Sequence, residues 1–262
     1  MGNKKTLEMK INNRLRNIYN KALNTEKTKH QEKIKKSNTD FSKFETSIID
    51  KVSDLTMTSP ERIVTLVRAI QYIEKNNLAG DVVECGVWKG GSVGACLLTL
   101  ISSNNLKRNI WLYDTYEGMN EPSDYDIDIN GKSASERMAL EYRETSWVWA
   151  KAQLELVRKN VYKFGYPIEK IKFIKGLVEE TLNSNEIPEK ISLLRLDTDW
   201  YESTKIELEI LFPRLVSGGA LIIDDYGHWN GCRKAVDEYF DSLKFSPFSN
   251  RIDYTGRLII KP

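Results

Sequence analysis

The sequence has no long hydrophobic run. None of its apolar stretches approaches the roughly 20 residues that a bilayer-spanning helix needs, and its N-terminus lacks the apolar segment of a secretory signal. We therefore expect a cytoplasmic protein with no transmembrane segment. A chain of 262 residues is long enough for one large domain with a substantial core.

Cysteine is also scarce, and its three copies are widely spaced. Cys85, Cys96 and Cys232 show neither the spacing of metal ligands nor that of a disulfide framework. This pattern is typical of a reducing compartment and predicts three ordinary buried thiols.

The net charge is only +2, but it is unevenly distributed. Residues 1–50 carry 12 Lys and Arg against 6 Asp and Glu, and the remaining residues carry 27 against 31. A basic arm can contact anionic lipid, nucleic acid or an acidic partner, but this one has polar residues between its charges and no series of aromatic residues for stacking. We predict that residues 1–50 form a basic, polar, partly helical extension, that residues 51–262 form the functional domain, and that no nucleic acid binds.

Short apolar runs alternate with helical segments from residue 60 onward. "SPERIVTLVRAIQYIEKNN" predicts a helix with Ser59 as N-cap and Pro60 at its first position. Five strands are predicted in "GDVVEC", "NIWLYD", "IKFIKG", "ISLLRLD" and "GALIIDD". The helices between them include one long segment at residues 133–165, and the tail from Phe245 predicts an antiparallel end to the sheet.

This alternation predicts an α/β fold with a mostly parallel sheet and helices on both faces. Ligands bind such sheets outside the carboxyl ends of the strands, near the point where the strand order reverses. Candidate functional residues are therefore those that follow each strand.

A glycine turn follows the first strand. Gly86 and Gly90 allow a sharp turn with close ligand approach, and the next helix offers free N–H groups near Ser92. The spacing matches neither the dinucleotide fingerprint nor a P-loop. Glu84, just before the turn, repels a pyrophosphate but suits the cationic end of S-adenosylmethionine; a purely structural turn is the alternative.

Two later strand ends predict further cofactor contacts. Asp114 ends the second strand, where a carboxylate can accept hydrogen bonds from ribose hydroxyls. Gly176 and Glu180 follow the third strand and are predicted to border the adenine. The alternative for these acids is an N-cap or a solvated charge.

Two acidic pairs end the fourth and fifth strands. Asp197 and Asp199 lie in "LLRLDTDWYEST", and Asp224 and Asp225 lie in "ALIIDDYG". Four carboxylates at two neighbouring strand ends repel one another unless a cation lies between them, although strand-end solvation or helix capping is the alternative.

The motifs "TMTSPERI", "VVECGVWKGGS", "YDTYEGM", "LRLDTDWYEST", "SGGALIIDDYG" and "IDYTGRL" together resemble the macrocin O-methyltransferase family over about residues 55–258. The resemblance implies a Rossmann-like class I methyltransferase fold, S-adenosylmethionine as cofactor, and Mg²⁺-dependent methylation of a sugar hydroxyl. It also implies that Asp197, Asp224 and Asp225 bind the metal and that Asp199 is the general base. The cofactor residues that it implies include Met57 and Thr58 of the first motif.

Several points stay open. The acceptor is either a sugar hydroxyl of a glycoside, nucleotide sugar or saccharide, or a catechol or other vicinal diol, because any diol can chelate Mg²⁺. A non-catalytic cofactor-binding protein is a third possibility, which the joint presence of Glu84, the glycines and the four acids disfavours. His228 is either a catalytic or a packing residue. We also expect a homo-oligomer.

Overall fold

The computed structural model describes residues 40–140, 148–183 and 187–262. The chain divides into a unit of residues 1–43 and a compact unit of residues 44–262. Most of the predicted N-terminal extension therefore lies outside the described residues. The helix that crosses residue 50 buries Ile48 and Val52 in the core, so the last part of the predicted extension packs against the domain.

Eight α-helices occur in the described residues, and two of them are followed directly by a 3₁₀ turn. They are α1 (Lys43–Val52), α2 (Pro60–Lys75), α3 (Gly91–Ser102), α4 (Ala134–Leu140), α5 (Leu154–Tyr162), α6 (Val178–Thr181), α7 (Tyr201–Leu211) and α8 (Asn230–Asp241). The start of α2 follows the prediction, because the Ser59 hydroxyl accepts from the Arg62 amide at 3.2 Å. Among the described residues, no helix is long and apolar enough to cross a membrane.

The strands form one seven-stranded sheet in the order β3-β2-β1-β4-β5-β7-β6. They are β1 (Asp81–Cys85), β2 (Ile110–Asp114), β3 (Ile171–Lys175), β4 (Ile191–Leu196), β5 (Leu215–Ile223), β6 (Ser249–Arg251) and β7 (Arg257–Ile260). The first five are parallel, whereas β7 runs antiparallel to β5 and β6 runs antiparallel to β7. All five predicted parallel strands and the antiparallel end are confirmed.

A separate hydrophobic core lies on each face of the sheet. One includes Ile63 and Ile70 of α2 together with Leu97 of α3, and the other includes Leu208 of α7 and Val236 of α8. Helices therefore cover both faces, which explains why the central strands are buried on both sides and mostly apolar rather than alternating. Glu84 of β1 and Arg195 of β4 are buried charged exceptions.

The predicted helix at 133–165 is not continuous. Helices α4 and α5 form its ends, residues 141–147 lie outside the description, and residues 148–153 are not helical. At this break Ala150 has a φ of +41°, and the carbonyl of Trp149 accepts from the amide of Met119 at 3.0 Å. The backbone of Trp149 therefore bonds to the loop after β2 instead of continuing the helix.

Candidate active site

The strand order reverses between β1 and β4. The chain adds β2 and β3 on one side of β1 and then returns to place β4 and β5 on the other side. A cleft of about 250 Å³ lies outside the carboxyl ends of these strands. Its position is the one expected for a ligand in a doubly wound sheet.

Two of the predicted turn glycines have packing roles that the sequence does not reveal. Gly86 has a φ of +81°, and a Cβ there would lie 2.0 Å from the carbonyl oxygen of Asp197. A Cβ on Gly90, at a φ of +86°, would lie 2.7 Å from Val161 of α5. Gly86 lines the cleft, whereas Gly90 lets α3 pack against α5 behind it.

Glu84 lies behind the cleft rather than on its wall. Its side chain is 2% exposed, and it accepts hydrogen bonds from the Ser92 hydroxyl and from Arg195. Burial raises the pKa of Glu84 to about 7, although the charge of Arg195 opposes that shift. Ser92 does line the cleft, so Glu84 contacts the cleft wall through Ser92.

Asp114 lines the cleft, and its carboxylate organises the glycine turn. One oxygen accepts from the amides of Val87 and Trp88 at 2.7 and 3.0 Å, and the other accepts from the amide of Tyr116 at 2.6 Å. Burial raises the pKa of Asp114, and these three amides oppose the shift. The carboxylate is therefore oriented by the backbone at the position where the ribose was predicted.

The acid at the end of the third strand is shifted by one residue from the prediction. Gly176 lines the cleft, and so does Glu179, but Glu180 is solvent-exposed on α6 and is not part of the wall. Both carboxylate oxygens of Glu179 are buried without a hydrogen-bond partner among the described residues. A buried carboxylate without donors is suited to receive hydroxyl or amino groups of a ligand.

Met57 and Thr58 line the same cleft, in the segment between α1 and α2. The Thr58 hydroxyl accepts from Arg195 at 2.9 Å. The side chain of Met57 remains about half exposed. The structure thus brings all the predicted cofactor residues except Glu84, Gly90 and Glu180 to the cleft wall.

Three of the four acidic residues form a compact group. Asp197, Asp199 and Asp225 each offer a carboxylate oxygen, and these oxygens lie within 4.8 Å of one another. Asp199 has a φ of +67°, a conformation that Asp tolerates better than most residues. Burial raises the pKa of both Asp199 and Asp225, and each lies close enough to affect the other.

Asp224 pairs with two arginines, one of which, Arg195, also pairs with Asp197. Asp224 lines the cleft but is only 2% exposed, and its two oxygens accept from two different arginines. Arg195 donates to Oδ1 at 2.7 Å, and Arg62 forms an ion pair with Oδ2. The metal-ligand role predicted for Asp224 therefore stays a prediction, since both of its oxygens already hold a cationic partner.

The carboxylate group fits a hard divalent cation. Its donors are oxygen atoms only, and Oδ2 of Asp225 is buried without a hydrogen-bond partner among the described residues. Mg²⁺ prefers such oxygen ligands, whereas zinc sites usually contain Cys or His. The described residues around the cluster thus suit Mg²⁺ by charge and by donor type.

His228 and two tryptophans complete the wall near the acids. His228, Trp88 and Trp229 line the cleft, and the Tyr254 hydroxyl lies 3.3 Å from Nδ1 of His228. Burial lowers the pKa of His228, which favours its neutral form. Trp200 is buried instead, with its indole N–H bonded to the carbonyl of Asn120 at 3.2 Å.

Arg195, Arg62 and Glu179 are site residues that the sequence reasoning missed. A signal was present for Arg195, because a charged residue in the apolar run "ISLLRLD" requires a buried partner. Nothing comparable marks Arg62 on α2. Glu179 and Glu180 are adjacent acids, and only the direction of α6 distinguishes them.

The sheet is doubly wound, its strand order reverses at a cleft, a glycine turn follows β1, and the sheet ends in antiparallel strands. This is the organisation of the Rossmann-like class I methyltransferases. The family comparison identifies the particular group. The chain belongs to the macrocin-O-methyltransferase (TylF) family, whose model matches residues 2–260. It is an S-adenosylmethionine-dependent O-methyltransferase.

Characterised relatives support this assignment. The chain is 34% identical over 201 residues to 8-demethyl-8-(2,3-dimethoxy-alpha-L-rhamnosyl)-tetracenomycin-C 4'-O-methyltransferase of Streptomyces olivaceus, covering 77% of this chain and 73% of that protein. It is 30% identical over 204 residues to mycinamicin III 3''-O-methyltransferase of Micromonospora griseorubida, with 77% and 76% coverage. The solved structure of the O-methyltransferase NovP matches with a TM-score of 0.68 at 30% identity, covering 79% of this chain and 82% of that one.

Proposed function

We propose that this enzyme methylates a sugar hydroxyl of a glycoside, nucleotide sugar or saccharide and that it requires Mg²⁺. The observation that carries the proposal is the group of Asp197, Asp199 and Asp225 beside the glycine turn, on one cleft. The named substrates of the two characterised relatives, one of them a rhamnosyl compound, support a sugar-containing acceptor.

Asp197 and Asp225 are the residues that we assign to the cation. Their carboxylates lie at the ends of β4 and β5, adjacent parallel strands, so the sheet itself sets their separation. Asp197 and Asp225 would hold Mg²⁺, which would supply a Lewis acid that lowers the pKa of the acceptor hydroxyl. Asp224 adds negative charge next to them while it holds Arg62 and Arg195 in place.

Asp199 is the residue that we assign to proton removal. A sugar hydroxyl is a weak nucleophile, and a carboxylate within hydrogen-bonding reach can take its proton as the C–O bond forms. Asp199 is suited to this role because it shares the cleft with the other two acids. Methyl transfer then converts S-adenosylmethionine into S-adenosylhomocysteine and the hydroxyl into a methyl ether.

The cofactor residues are those on the other half of the cleft. We assign the methionine portion to Gly86 and Ser92, the ribose to Asp114, and the adenine region to Gly176 and Glu179. Met57 and Thr58 close this half from the α1–α2 segment. Glu179 replaces the predicted Glu180, because its carboxylate is buried at the wall without a donor.

A substrate panel tests the proposal. S-adenosylhomocysteine release is measured on free sugars, nucleotide sugars, glycosides and catechols, each with excess Mg²⁺ and with EDTA. We expect turnover on a sugar class that EDTA abolishes and Mg²⁺ restores. Turnover on catechols alone would support the vicinal-diol alternative, and turnover that resists EDTA would contradict the requirement for Mg²⁺.

A homo-oligomer and a cytoplasmic location remain predictions from the sequence. Light scattering coupled to size-exclusion chromatography tests the first, and fractionation of the source cells tests the second.

A further inference from the structure

Arg195 is a buried arginine at the centre of the site. It lies on β4, directly between Glu84 of β1 and Ile222 of β5 in the sheet register. Its side chain is 1% exposed. A guanidinium group so deeply buried is strongly destabilising unless several acceptors surround it.

Four acceptors from four chain segments lie 2.6–2.9 Å from Arg195, and the Ser92 hydroxyl is a fifth at 3.5 Å. Nη1 donates to Glu84 at 2.6 Å and to Asp197 at 2.8 Å. Nη2 donates to Asp224 at 2.7 Å and to the Thr58 hydroxyl at 2.9 Å. A guanidinium can satisfy such a set because its N–H groups are fixed in one plane, whereas a lysine ammonium cannot reach all four.

These acceptors connect Arg195 to both the proposed cation ligands and the proposed cofactor turn. Asp197 is a proposed cation ligand, and its contact with Arg195 uses Oδ2, which leaves the second oxygen for a cation. Glu84 also accepts from Ser92, in the first turn of α3, where the cofactor is proposed to bind. Thr58 lies on the cleft wall next to the cofactor region.

We infer that Arg195 is a positioning residue that orients the cation ligand Asp197 and the cofactor turn together, so that one side chain sets the geometry of both sites. The inference rests on the proposed function for its cation half. Arg195 itself does not line the cleft. It acts through the carboxylates that it holds.

The test is Arg195→Lys, which keeps the charge and loses the planar set of donors. The matched control is Arg108→Lys. Arg108 is also buried, pairs with Glu74 and donates to the carbonyl of Leu78 at 2.7 Å, but it precedes β2 at the opposite end of the sheet. Calorimetry measures Mg²⁺ affinity without cofactor and S-adenosylhomocysteine affinity in EDTA, and thermal denaturation checks folding.

We expect Arg195→Lys to lower Mg²⁺ affinity at least tenfold and S-adenosylhomocysteine affinity at least threefold. Arg108→Lys should leave both affinities within twofold of wild type even where it lowers the melting temperature by a similar amount. Wild-type affinities in Arg195→Lys would overturn the inference, and so would equal losses in both variants.

Failure of the proposed function is distinguishable from failure of this inference. If the wild-type enzyme binds S-adenosylhomocysteine but no Mg²⁺, the cation requirement is contradicted, and S-adenosylhomocysteine affinity alone then decides the role of Arg195.

If Arg195→Lys does not fold, Thr58→Val is tested in its place, because the valine removes one acceptor of Arg195 and leaves every acid unchanged. A threefold loss of Mg²⁺ affinity in Thr58→Val supports the inference, and unchanged Mg²⁺ affinity overturns it.

Discussion

A Cβ atom on Gly86 would lie 2.0 Å from the carbonyl oxygen of Asp197. Gly86, which we propose to lie against the cofactor, therefore also allows β1 and β4 to meet beside Asp197, a proposed cation ligand. A bulky substitution at Gly86 changes both sites at once, so loss of cofactor affinity in such a variant does not show that the side chain fills the cofactor position.

We expect Gly86→Ala to weaken Mg²⁺ binding and to lower the free energy of unfolding by more than the ~1–2 kcal/mol that a left-handed conformation alone imposes on a non-glycine residue. Gly165→Ala is the control, because Gly165 has a φ of +80° and no atom within 4 Å of its Cβ position. Chemical denaturation and Mg²⁺ calorimetry measure the difference. Equal effects of the two substitutions would show that the contact with Asp197 is unimportant.

The roles of Asp199 and Asp225 are separable by single substitutions. Asp199→Asn should leave Mg²⁺ and S-adenosylmethionine affinity within about threefold of wild type while it lowers turnover by roughly 10²- to 10⁴-fold, the range for loss of a general base. Asp225→Asn should lower Mg²⁺ affinity and activity together. Single-turnover methyl transfer at saturating Mg²⁺ is the measurement. If Asp199→Asn loses Mg²⁺ as Asp225→Asn does, Asp199 is a ligand rather than the base.

At the scale of elements, a side chain of α7 forms hydrogen bonds with the loop between β4 and α7. Both carboxylate oxygens of Glu207 lie within hydrogen-bonding distance of the Thr198 hydroxyl, at 3.0 and 3.1 Å. Glu207 is fully buried, and Thr198 stands between the two acids of the loop. This contact anchors the loop at the residue next to Asp199, whose φ is positive.

We expect Thr198→Val to lower the free energy of unfolding by about 1–3 kcal/mol, because it removes a hydroxyl donor from a buried carboxyl group. It should also reduce turnover, since the loop that carries Asp199 loses its anchor. Thr198→Ser keeps the hydroxyl and should retain most of the stability and activity. Urea denaturation compares the three proteins, and a valine variant as stable as wild type would contradict the role of this bond.

At the scale of the whole molecule, the domain buries several carboxyl groups, among them Glu84 and Glu207. Burial raises the pKa of Glu207 well above its ordinary value, and burial also raises the pKa of Glu84 to about 7. A group whose folded pKa is raised stabilises the protein fully below its unfolded pKa and loses that contribution as the pH rises toward the folded pKa. The stability of the metal-free protein should therefore fall between pH 5 and pH 8.

Glu207→Gln tests this pH dependence. Each such group contributes a slope of about 1.4 kcal/mol per pH unit between its unfolded and folded pKa. The glutamine variant, which does not titrate, should show a smaller slope than wild type between pH 5 and pH 8. Denaturation in EDTA at several pH values measures both slopes, and identical slopes would show that Glu207 is ionised in the folded protein.

The sequence by itself determined the strand order along the chain, the antiparallel end and the family. Apolar runs such as "ISLLRLD", glycine turns and an N-cap such as Ser59 are local signals, because strand burial and helix initiation depend on neighbouring residues. The sequence also predicted that the acids at the strand ends lie together, since parallel strands bring their carboxyl ends to the same edge of the sheet. These features predicted the position of the cleft as well as its acidic character.

Only the tertiary structure decided which partner each acid has. Asp224 and Asp225 are adjacent in sequence, yet one is held by two arginines and the other lies with Asp197 and Asp199. That difference depends on the register that places Arg195 beside Glu84, two residues 111 positions apart in the chain. Contacts across strands follow from sheet register and side-chain direction, and neither can be read from spacing along the chain.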